Sequence, residues 1–460
     1  MSDCSFSASD ADQRTATHPC YSGQAHHFFA RMHLAVAPAC NIQCNYCNRK
    51  YDCANETRPG VTSQRLKPKD ALRKVYHAAR RLKELSVIGI AGPGDALASP
   101  ARTFETLSQI RDNFPDLTLC LSTNGLALTD NAEELVRLGV GHVTVTLNTF
   151  SPETAMKIYA WVLMGGKKAS GLLAMDWFLR RQQEGIKALV ARGVLVKVNT
   201  VLIPGLNDEE LPLLSKKLKL MGVFLHNIMP LIARPEHGTA FGLQGRPEPT
   251  PQLLERVREE CGGITQMAHC RQCRADAVGK LGEDVSSLDA AALAEDCERE
   301  SGAEKRAKWK EEVSKLSARN ETASSVPVAR CEMLVAVTTK GNGIVNEHFG
   351  HAREFHIYRV ENGAARLVNV RRVERQFCEG PSTCGDTDAT DEVFNTIADC
   401  AAVVCLKVGY GAHKRLEEQG ILPVVDLPYE PLERAVLEAA RRAHTRKSRK
   451  TTVREGAQSL

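Results

Sequence analysis

At 460 residues the chain exceeds one ordinary core, and 43% hydrophobic with 25% charged residues is the balance of a globular protein. A net charge of +5, the difference between 60 basic and 55 acidic side chains, gives little support to nucleic-acid binding, which needs a concentrated basic face, and the basic run Arg441–Lys450 reads as a solvated tail. No run of about eighteen apolar residues exists to span a membrane, and the polar stretch Met1–Asp12 lacks the order of a secretory leader. The expectation is a cytoplasmic protein, in which 16 cysteines are better explained by metal ligation than by disulfides.

From Met32 to Ile232 one theme recurs: an apolar β-branched run, a polar or glycine-rich tail, then an amphipathic stretch. Strands are predicted at Met32–Ala37, Val87–Ala91, Leu117–Leu121, His142–Leu147, Leu195–Leu202 and Val223–Met229. Helices are predicted at Lys69–Leu85, Ala132–Leu138, Trp177–Ala191 and Leu211–Leu220. Such alternation builds βαβ units around a parallel sheet buried on both faces, an α/β fold. About six units favour a partial (β/α)6 TIM-type barrel over a full eight-stranded one, with the strand tails gathered at one end. Those tails hold the unusual residues, among them Cys40, Gly92-Pro93-Gly94-Asp95, Ser122-Thr123-Asn124-Gly125, Asn148-Thr149 and Ile203-Pro204-Gly205.

After Asp284 the composition shifts. Ser286–Asn320 reads as a helical connector and Ser324–Pro327 as a linker. A second α/β pattern follows, with strands at Met333–Thr338, Glu354–Val360, Arg366–Val373 and Ala401–Leu406. Its helices are expected at Thr390–Ala398, Ala412–Gln419 and Leu432–Ala443. The predicted organisation is an N-terminal extension (1–30), a barrel with a C-terminal extension (31–285), a helical linker (286–330), a small domain (331–445) and a basic tail (446–460).

Cys40, Cys44 and Cys47 place three thiols in eight residues directly after an apolar strand. Three thiolates on a tight loop suit a cubane four-iron four-sulfur (4Fe–4S) cluster whose fourth iron stays open to chelate a methionine amino and carboxylate group. Tyr46 is placed to pack on an adenine. The alternative is zinc, which prefers four ligands in paired spacing, and no such fourth ligand is adjacent.

At these residues the chain resembles the radical S-adenosylmethionine (SAM) superfamily and, within it, the NifB family of nitrogenase iron–molybdenum cofactor biosynthesis. The carrying strings are His18-Pro19-Cys20, Cys40 through Glu56, Ala91 through Asp95, Leu121 through Gly125, His226 through Leu231, Glu236 through Thr239, and His269 through Asp276. Ala96 and Ala160 depart from the pattern where proline is expected, and neither is a proposed ligand. The resemblance implies a lyase-type radical SAM enzyme that fuses two 4Fe–4S clusters around a SAM-derived carbide, with an added sulfur, into an eight-iron precursor. It also implies Cys20, Cys53, Cys120, Cys270, Cys273 and His33 as ligands of two further 4Fe–4S substrate clusters. Taken alone, Cys120 would read as core packing, Cys270 and Cys273 as half a zinc site or a redox pair, and His33 as a core histidine. By analogy with radical SAM barrels, Gly92 and Gly94 present backbone to SAM, and Asp95 either accepts from its ammonium or shapes the loop. Ser122, Asn124, Asn148 and Asn199 are expected to hydrogen-bond it, and Ile203 and Met229 to wall its adenine.

From Cys331 the chain resembles the small NifX-type cofactor-binding domain, an α/β ribonuclease H-like motif. The carrying residues are Thr339 through Gly343 and Val345 through Ala352. His348 and His351 read either as receivers of an anionic metal cluster or as surface histidines on an ordinary turn. Cys378, Cys384, Cys400 and Cys405 read as core or free thiols. Implied partners are iron–sulfur cluster donors, downstream cofactor carriers or scaffolds, and an electron donor such as ferredoxin or flavodoxin. Two other readings are a radical SAM modifier of a peptide or small molecule, and a non-catalytic iron–sulfur scaffold or carrier.

Overall fold

The computed structural model describes residues 8–57, 59–283, 285, 301–323, 332–373, 376–377 and 387–458. They fall into two compact units, Met1–Lys310 and Glu311–Leu460. In chain order the first contains α1 (Ala8–Thr15), α2 (Ala25–Phe28), β1 (Ala30–His33), β2 (Ile42–Cys44), α3 (Pro68–Arg81), β3 (Leu85–Ile90) and α4 (Pro100–Asn113). Then come β4 (Thr118–Thr123), α5 (Leu128–Arg137), β5 (Val140–Thr146), α6 (Pro152–Ile158), β6 (Tyr159–Met164), β7 (Lys167–Ala169) and α7 (Leu172–Ala191). The series continues with β8 (Leu195–Leu202), α8 (Leu211–Leu220), β9 (Leu225–Pro230), α9 (Ala240–Leu243), α10 (Pro251–Glu260) and β10 (Val278–Gly279). No helix among the described residues is long and apolar enough to cross a membrane.

A seven-stranded sheet runs β10-β1-β3-β4-β5-β8-β9. Only β10 is antiparallel to its neighbour; the six others form the expected curled (β/α)6 half-barrel. Every residue of β3 and β8 is buried; β3 reads as a near-continuous apolar run, while β8 buries Lys197, Asn199 and Thr200 among its apolar residues. Proline opens α3, α4, α6 and α10, where its missing N–H costs nothing. Ser151 and Thr250 cap α6 and α10 by accepting from Thr154 N and Leu253 N.

Several boundaries differ from expectation. β1 stops at His33, because Val36 N turns back to Leu34 O, and pairing resumes only at the Ala37–Pro93 bridge. Helix α3 ends at Arg81, since Leu85 joins the sheet opposite Ala30. Helix α4, α6 and the β2-β6-β7 sheet were not expected at all.

The second unit holds one mixed sheet, ordered β13-β12-β11-β14-β15. Its strands are β11 (Met333–Val337), β12 (Glu354–Glu361), β13 (Ala364–Arg372), β14 (Ala402–Val404) and β15 (Leu422–Val424). The first three pair antiparallel and the last three parallel. β15 escaped prediction because it is three residues long with Pro423 at its centre, tolerable only on an edge. Helix α11 (Ala303–Ala323) precedes this sheet; α12 (Thr387–Thr396), α13 (Tyr410–Glu418) and α14 (Leu432–Gln458) complete the described helices. Helix α14 continues through most of the stretch expected to be a basic tail. The linker at 324–327 and the start of the connector lie outside the described residues.

Candidate functional site

Strand β2 makes the cysteine loop a piece of sheet. It pairs antiparallel with β6, Ile42 opposite Val162, Gln43 opposite Trp161 and Cys44 opposite Tyr159. Leu163 N donates to Asn41 O (2.8 Å) and Asn45 N to Ile158 O (2.9 Å), so β6 backs the loop along its length. Gln43 Nε2 donates to the carbonyls of Cys44 (3.0 Å) and Cys47 (2.9 Å), closing the turn between those cysteines. Cys44 is buried; Cys40 and Cys47 are half-buried. Burial pushes all three thiols up, Cys40 to about 11, and Cys40 and Cys47 push Cys44 further. Opposing this are the Ile42 N–H at Cys40, and the Ala54 N–H with the Arg49 guanidinium at Cys47. Asn124 Nδ2 lies 3.9 Å from Cys40 Sγ. Three clustered thiols, desolvated yet ringed by N–H donors, fit an iron–sulfur cluster, whose metal replaces the protons and whose sulfurs accept such bonds. Cys53 lies beside this trio, and burial followed by Cys47, Cys40 and Cys44 raises its thiol.

The strand tails are tied to this segment by amides. Asn124, after β4, donates to Asn41 Oδ1 (2.7 Å). Asn148, after β5, donates to the hydroxyls of Tyr46 (2.7 Å) and Tyr159 (3.0 Å) and accepts from Val201 N (2.9 Å). Asn199, on β8, donates to Asn55 O (3.1 Å) and Glu56 Oε1 (2.9 Å) and accepts from Asn227 of β9 (3.0 Å). Tyr46 also donates to Asn55 Oδ1 (2.7 Å), and it packs in one apolar cluster with Cys44, Ile203 and Met229. Asp95 is occupied within the protein: its carboxylate accepts from Leu97 N, Thr123 Oγ1 and Asn124 N, so it shapes the tail. Gly94 N donates to Ala37 O (2.6 Å) and Asp95 N to Ala39 O (2.7 Å), which lays the glycine-rich tail against the chain entering Cys40. The positive φ of Gly92 (+142°) turns the tail into that position.

A second group gathers residues far apart in sequence. His269 Nε2 meets Pro19 O at 3.0 Å, bringing the chain at Cys20 to the chain at Cys270. Lys197, in the middle of β8, is only 5% exposed, with Nζ 5.5 Å from the Tyr21 ring centroid. Burial pulls its ammonium down, but Cys20, Glu56, Cys270 and Cys120 hold it above the ordinary lysine value. Cys20 is raised to about 11 by burial, against Lys197 and Arg31 and with Cys273 and Cys270. Burial also lifts Cys120 to about 12 and the Glu56 carboxyl to about 7, Lys197, Ser122 and Asn199 restraining the latter. Across β3, Gly89 leaves room for His33: a methyl group at Gly89 would lie 3.1 Å from His33 Cδ2 and 3.9 Å from Cys120 Cβ. His33 Nδ1 meets Arg274 O (3.1 Å), an acceptor only, so Nδ1 carries the proton and Nε2 keeps its lone pair. Burial followed by Arg31 lowers that imidazole to about 4.

Sequence reasoning assigned no role to Lys197, Glu56, Asn41, Asn55 or Arg49. Lys197 carried a signal, a lone cation inside an apolar strand. In the second unit the Thr339–Gly343 loop is cross-bonded, Thr339 Oγ1 to Ile344 O (2.7 Å) and Lys340 N to Asn346 Oδ1 (2.7 Å). The His348 and His351 rings lie 4.8 Å apart beside it. Cys400 and Cys405 are buried in the core; Cys378 and Cys384 lie outside the described residues.

Comparison with known proteins adds a family to this geometry. Residues 34–218 match the radical SAM superfamily, and residues 331–442 match the dinitrogenase iron–molybdenum cofactor family. The chain is 47% identical over 437 residues to the FeMo cofactor biosynthesis protein NifB of Bradyrhizobium diazoefficiens, covering 92% of this chain and 86% of that protein. It is 45% identical over 443 residues to the protein of the same name from Azotobacter vinelandii, covering 92% and 88%. Among solved structures, methylornithine synthase (PylB) is 13% identical, with a TM-score of 0.37 over 61% of this chain and 84% of that one.

Proposed function

The chain belongs to the NifB family and is a radical SAM enzyme of FeMo-cofactor biosynthesis; from that premise we propose that it fuses two 4Fe–4S substrate clusters around a SAM-derived carbide, with an added sulfur, into an eight-iron precursor. The observation that supports this reading is the mutual approach of Cys20, Cys120, Cys270, Cys273 and Lys197, each acting on the charge of another and tied by the His269–Pro19 contact.

In this reading Cys40, Cys44 and Cys47 hold the resident cluster, which with SAM supplies reductive cleavage of the sulfonium. The residues of the chain do the positioning. The backbone of Gly92 and Gly94 faces SAM, and Ser122, Asn124, Asn148 and Asn199, whose polar groups bond Glu56, Asn41, Tyr46 and Asn55, hold the loop and strand tails that orient it, while Tyr46, Ile203 and Met229 keep water from its adenine. Asp95 acts one step back by fixing the Thr123–Asn124 turn. Cys20, Cys53, Cys120, Cys270, Cys273 and the Nε2 lone pair of His33 hold the substrate clusters, and Lys197 offsets their negative charge. Glu56 stands beside Lys197 with a carboxyl that can hold or release a proton near neutral pH. The 331–445 domain carries or hands on product, and the partners are cluster donors, cofactor carriers and a low-potential electron donor.

Anaerobic reconstitution tests the reading. The wild-type chain should take up about three clusters of iron and make 5′-deoxyadenosine with no organic substrate. Cys44→Ala should lose about one cluster and all deoxyadenosine formation, whereas Cys270→Ala should lose substrate iron and keep SAM cleavage. Deoxyadenosine formed at the wild-type rate by Cys44→Ala would refute it.

A further inference from the structure

We propose that Arg49 sets the reduction potential of the Cys40–Cys44–Cys47 cluster, its guanidinium raising that potential by stabilising the reduced state. The inference rests on the reading of the three cysteines as cluster ligands, and it goes further by assigning the positioning residue that tunes the cluster they hold.

Arg49 rides on a turn that Asn48 fastens. Lys50 N donates to Asn48 Oδ1 (3.1 Å), Tyr51 N to Asn48 O (3.0 Å), and Asn48 Nδ2 to His237 O (3.0 Å). From this turn the side chain reaches back across the loop, and Arg49 Nη2 donates to Pro38 O (2.8 Å), two residues before Cys40. The guanidinium is thus tied to the chain entering the loop while its backbone lies just past the exit, and it acts on Cys40 and Cys47 together.

What the guanidinium lacks is an anionic partner. Its Nη1 is buried and meets no oxygen or nitrogen acceptor among the described residues, and Arg49 enters no ion pair among them. Its one oxygen partner, Pro38 O, is neutral. Asp95, the acid that acts on Cys40, already accepts from Leu97 N, Thr123 Oγ1 and Asn124 N. Leaving a buried cation without a counter-charge is costly in an empty fold. The thiols beside it are raised by burial and stay neutral until metal displaces their protons. The negative charge that answers Arg49 therefore arrives with the cluster. Gln43 and Asn124, the other side-chain donors at the loop, are neutral amides. Taking up one electron makes the cluster one unit more negative, so a fixed cation with a spare N–H favours the reduced state and raises the potential. Arginine keeps that charge at every working pH.

The test is an EPR-monitored reductive titration of the full reconstituted chain. The reduced signal that changes shape when SAM is added identifies the Cys40–Cys44–Cys47 cluster, and its midpoint is read without SAM. Arg49→Gln keeps an N–H for Pro38 O but removes the charge. At the potential where the wild-type cluster is half reduced, its ratio of reduced to oxidised cluster should fall about tenfold or more, a shift of about 59 mV for one electron. Arg49→Lys should lie between the two, because a single ammonium cannot bond Pro38 O and face Cys47 with one rigid fork. Should Arg49→Gln load too little iron, Arg49→Lys carries the test, and its midpoint must still fall below that of wild type. A variant with full iron and the wild-type midpoint would overturn the proposal. So would a midpoint that differs only when SAM is bound, which would give the guanidinium to SAM. Wild-type protein with no SAM-responsive signal would instead refute the cluster reading beneath it.

Discussion

Gly94→Ala should uncouple the cysteine loop from the sheet, and the size of the effect follows from three distances. A methyl group at Gly94 would lie 2.0 Å from Ala39 O, 2.7 Å from Ala39 C and 2.9 Å from Ala37 O. A carbon and a carbonyl oxygen settle at about 3.3–3.6 Å, so one segment must retreat by more than about 1 Å. The obstructing atoms are backbone, with no rotamer to swing aside. Retreat breaks the bonds Gly94 N to Ala37 O and Asp95 N to Ala39 O, each worth about 1 kcal/mol net. Overpacking adds about 1–3 kcal/mol, for a total of about 3–5 kcal/mol. Ala39 directly precedes Cys40, so the displacement passes to the first thiol of the loop. Urea unfolding should show the stability loss, and iron analysis after reconstitution should show a deficit at the Cys40–Cys44–Cys47 cluster. Gly23→Ala is the matched control, because nothing lies within 4 Å of a methyl group there. A Gly94→Ala protein with wild-type unfolding midpoint and full iron would refute the argument.

Two further outcomes follow from buried charges. Lys197→Met should reduce uptake of substrate iron while sparing the radical SAM cluster. Two unit charges roughly 5 Å apart at an effective dielectric of about 20 attract by about 3 kcal/mol, roughly a hundredfold in retention. Lys197→Arg should restore part of it, and identical Mössbauer-quantified iron in wild type and Lys197→Met would count against the role. Asp116→Asn should destabilise the first unit by about 3–5 kcal/mol at most, by leaving the fully buried Arg306 guanidinium without its carboxylate. Burial raises the Asp116 carboxyl, but the Arg306 hydrogen bonds and charge outweigh it and hold the group below the ordinary aspartate range. Its stabilisation is therefore complete above the unfolded value near about 4 and is lost as pH falls through the lower folded value. Unfolding free energies from about pH 6 down to about pH 2 should fall less steeply in the variant, and parallel curves would exclude the contribution.

The six parallel strands were legible because burial on both faces favours long apolar runs, and β3 shows that limit. Helix α4 was not legible. Its buried face includes Thr103 and Thr106, whose hydroxyls return to Ala96 O and Arg102 O, so a polar sequence packs as an apolar one. The β6–β7 hairpin did carry a signal, Gly165-Gly166 between two strand-like runs, both with positive φ (57° and 78°). The thiol trio was legible from spacing alone. The approach of Cys20 to Cys270 was not, because it depends on the His269–Pro19 contact and on β10 returning to pair with β1.

The electrostatics of both thiol groups follow one logic, and it explains why the charges beside them were hard to read from sequence. Burial raises the thiols of Cys20, Cys40, Cys44, Cys47, Cys53 and Cys120, so without metal they are held neutral. Metal binding must then displace those protons, and loading becomes steeply dependent on pH. The protein has already placed compensation for the charge that would result. Arg49 and backbone N–H groups face the loop, while Lys197 stands among the thiols of the second group. A buried lysine with thiols and one carboxylate about it makes little sense as a device for stabilising an empty fold, since an ion pair in such a place rarely repays its desolvation. It makes sense as half of a charge pair whose other half is an anionic guest.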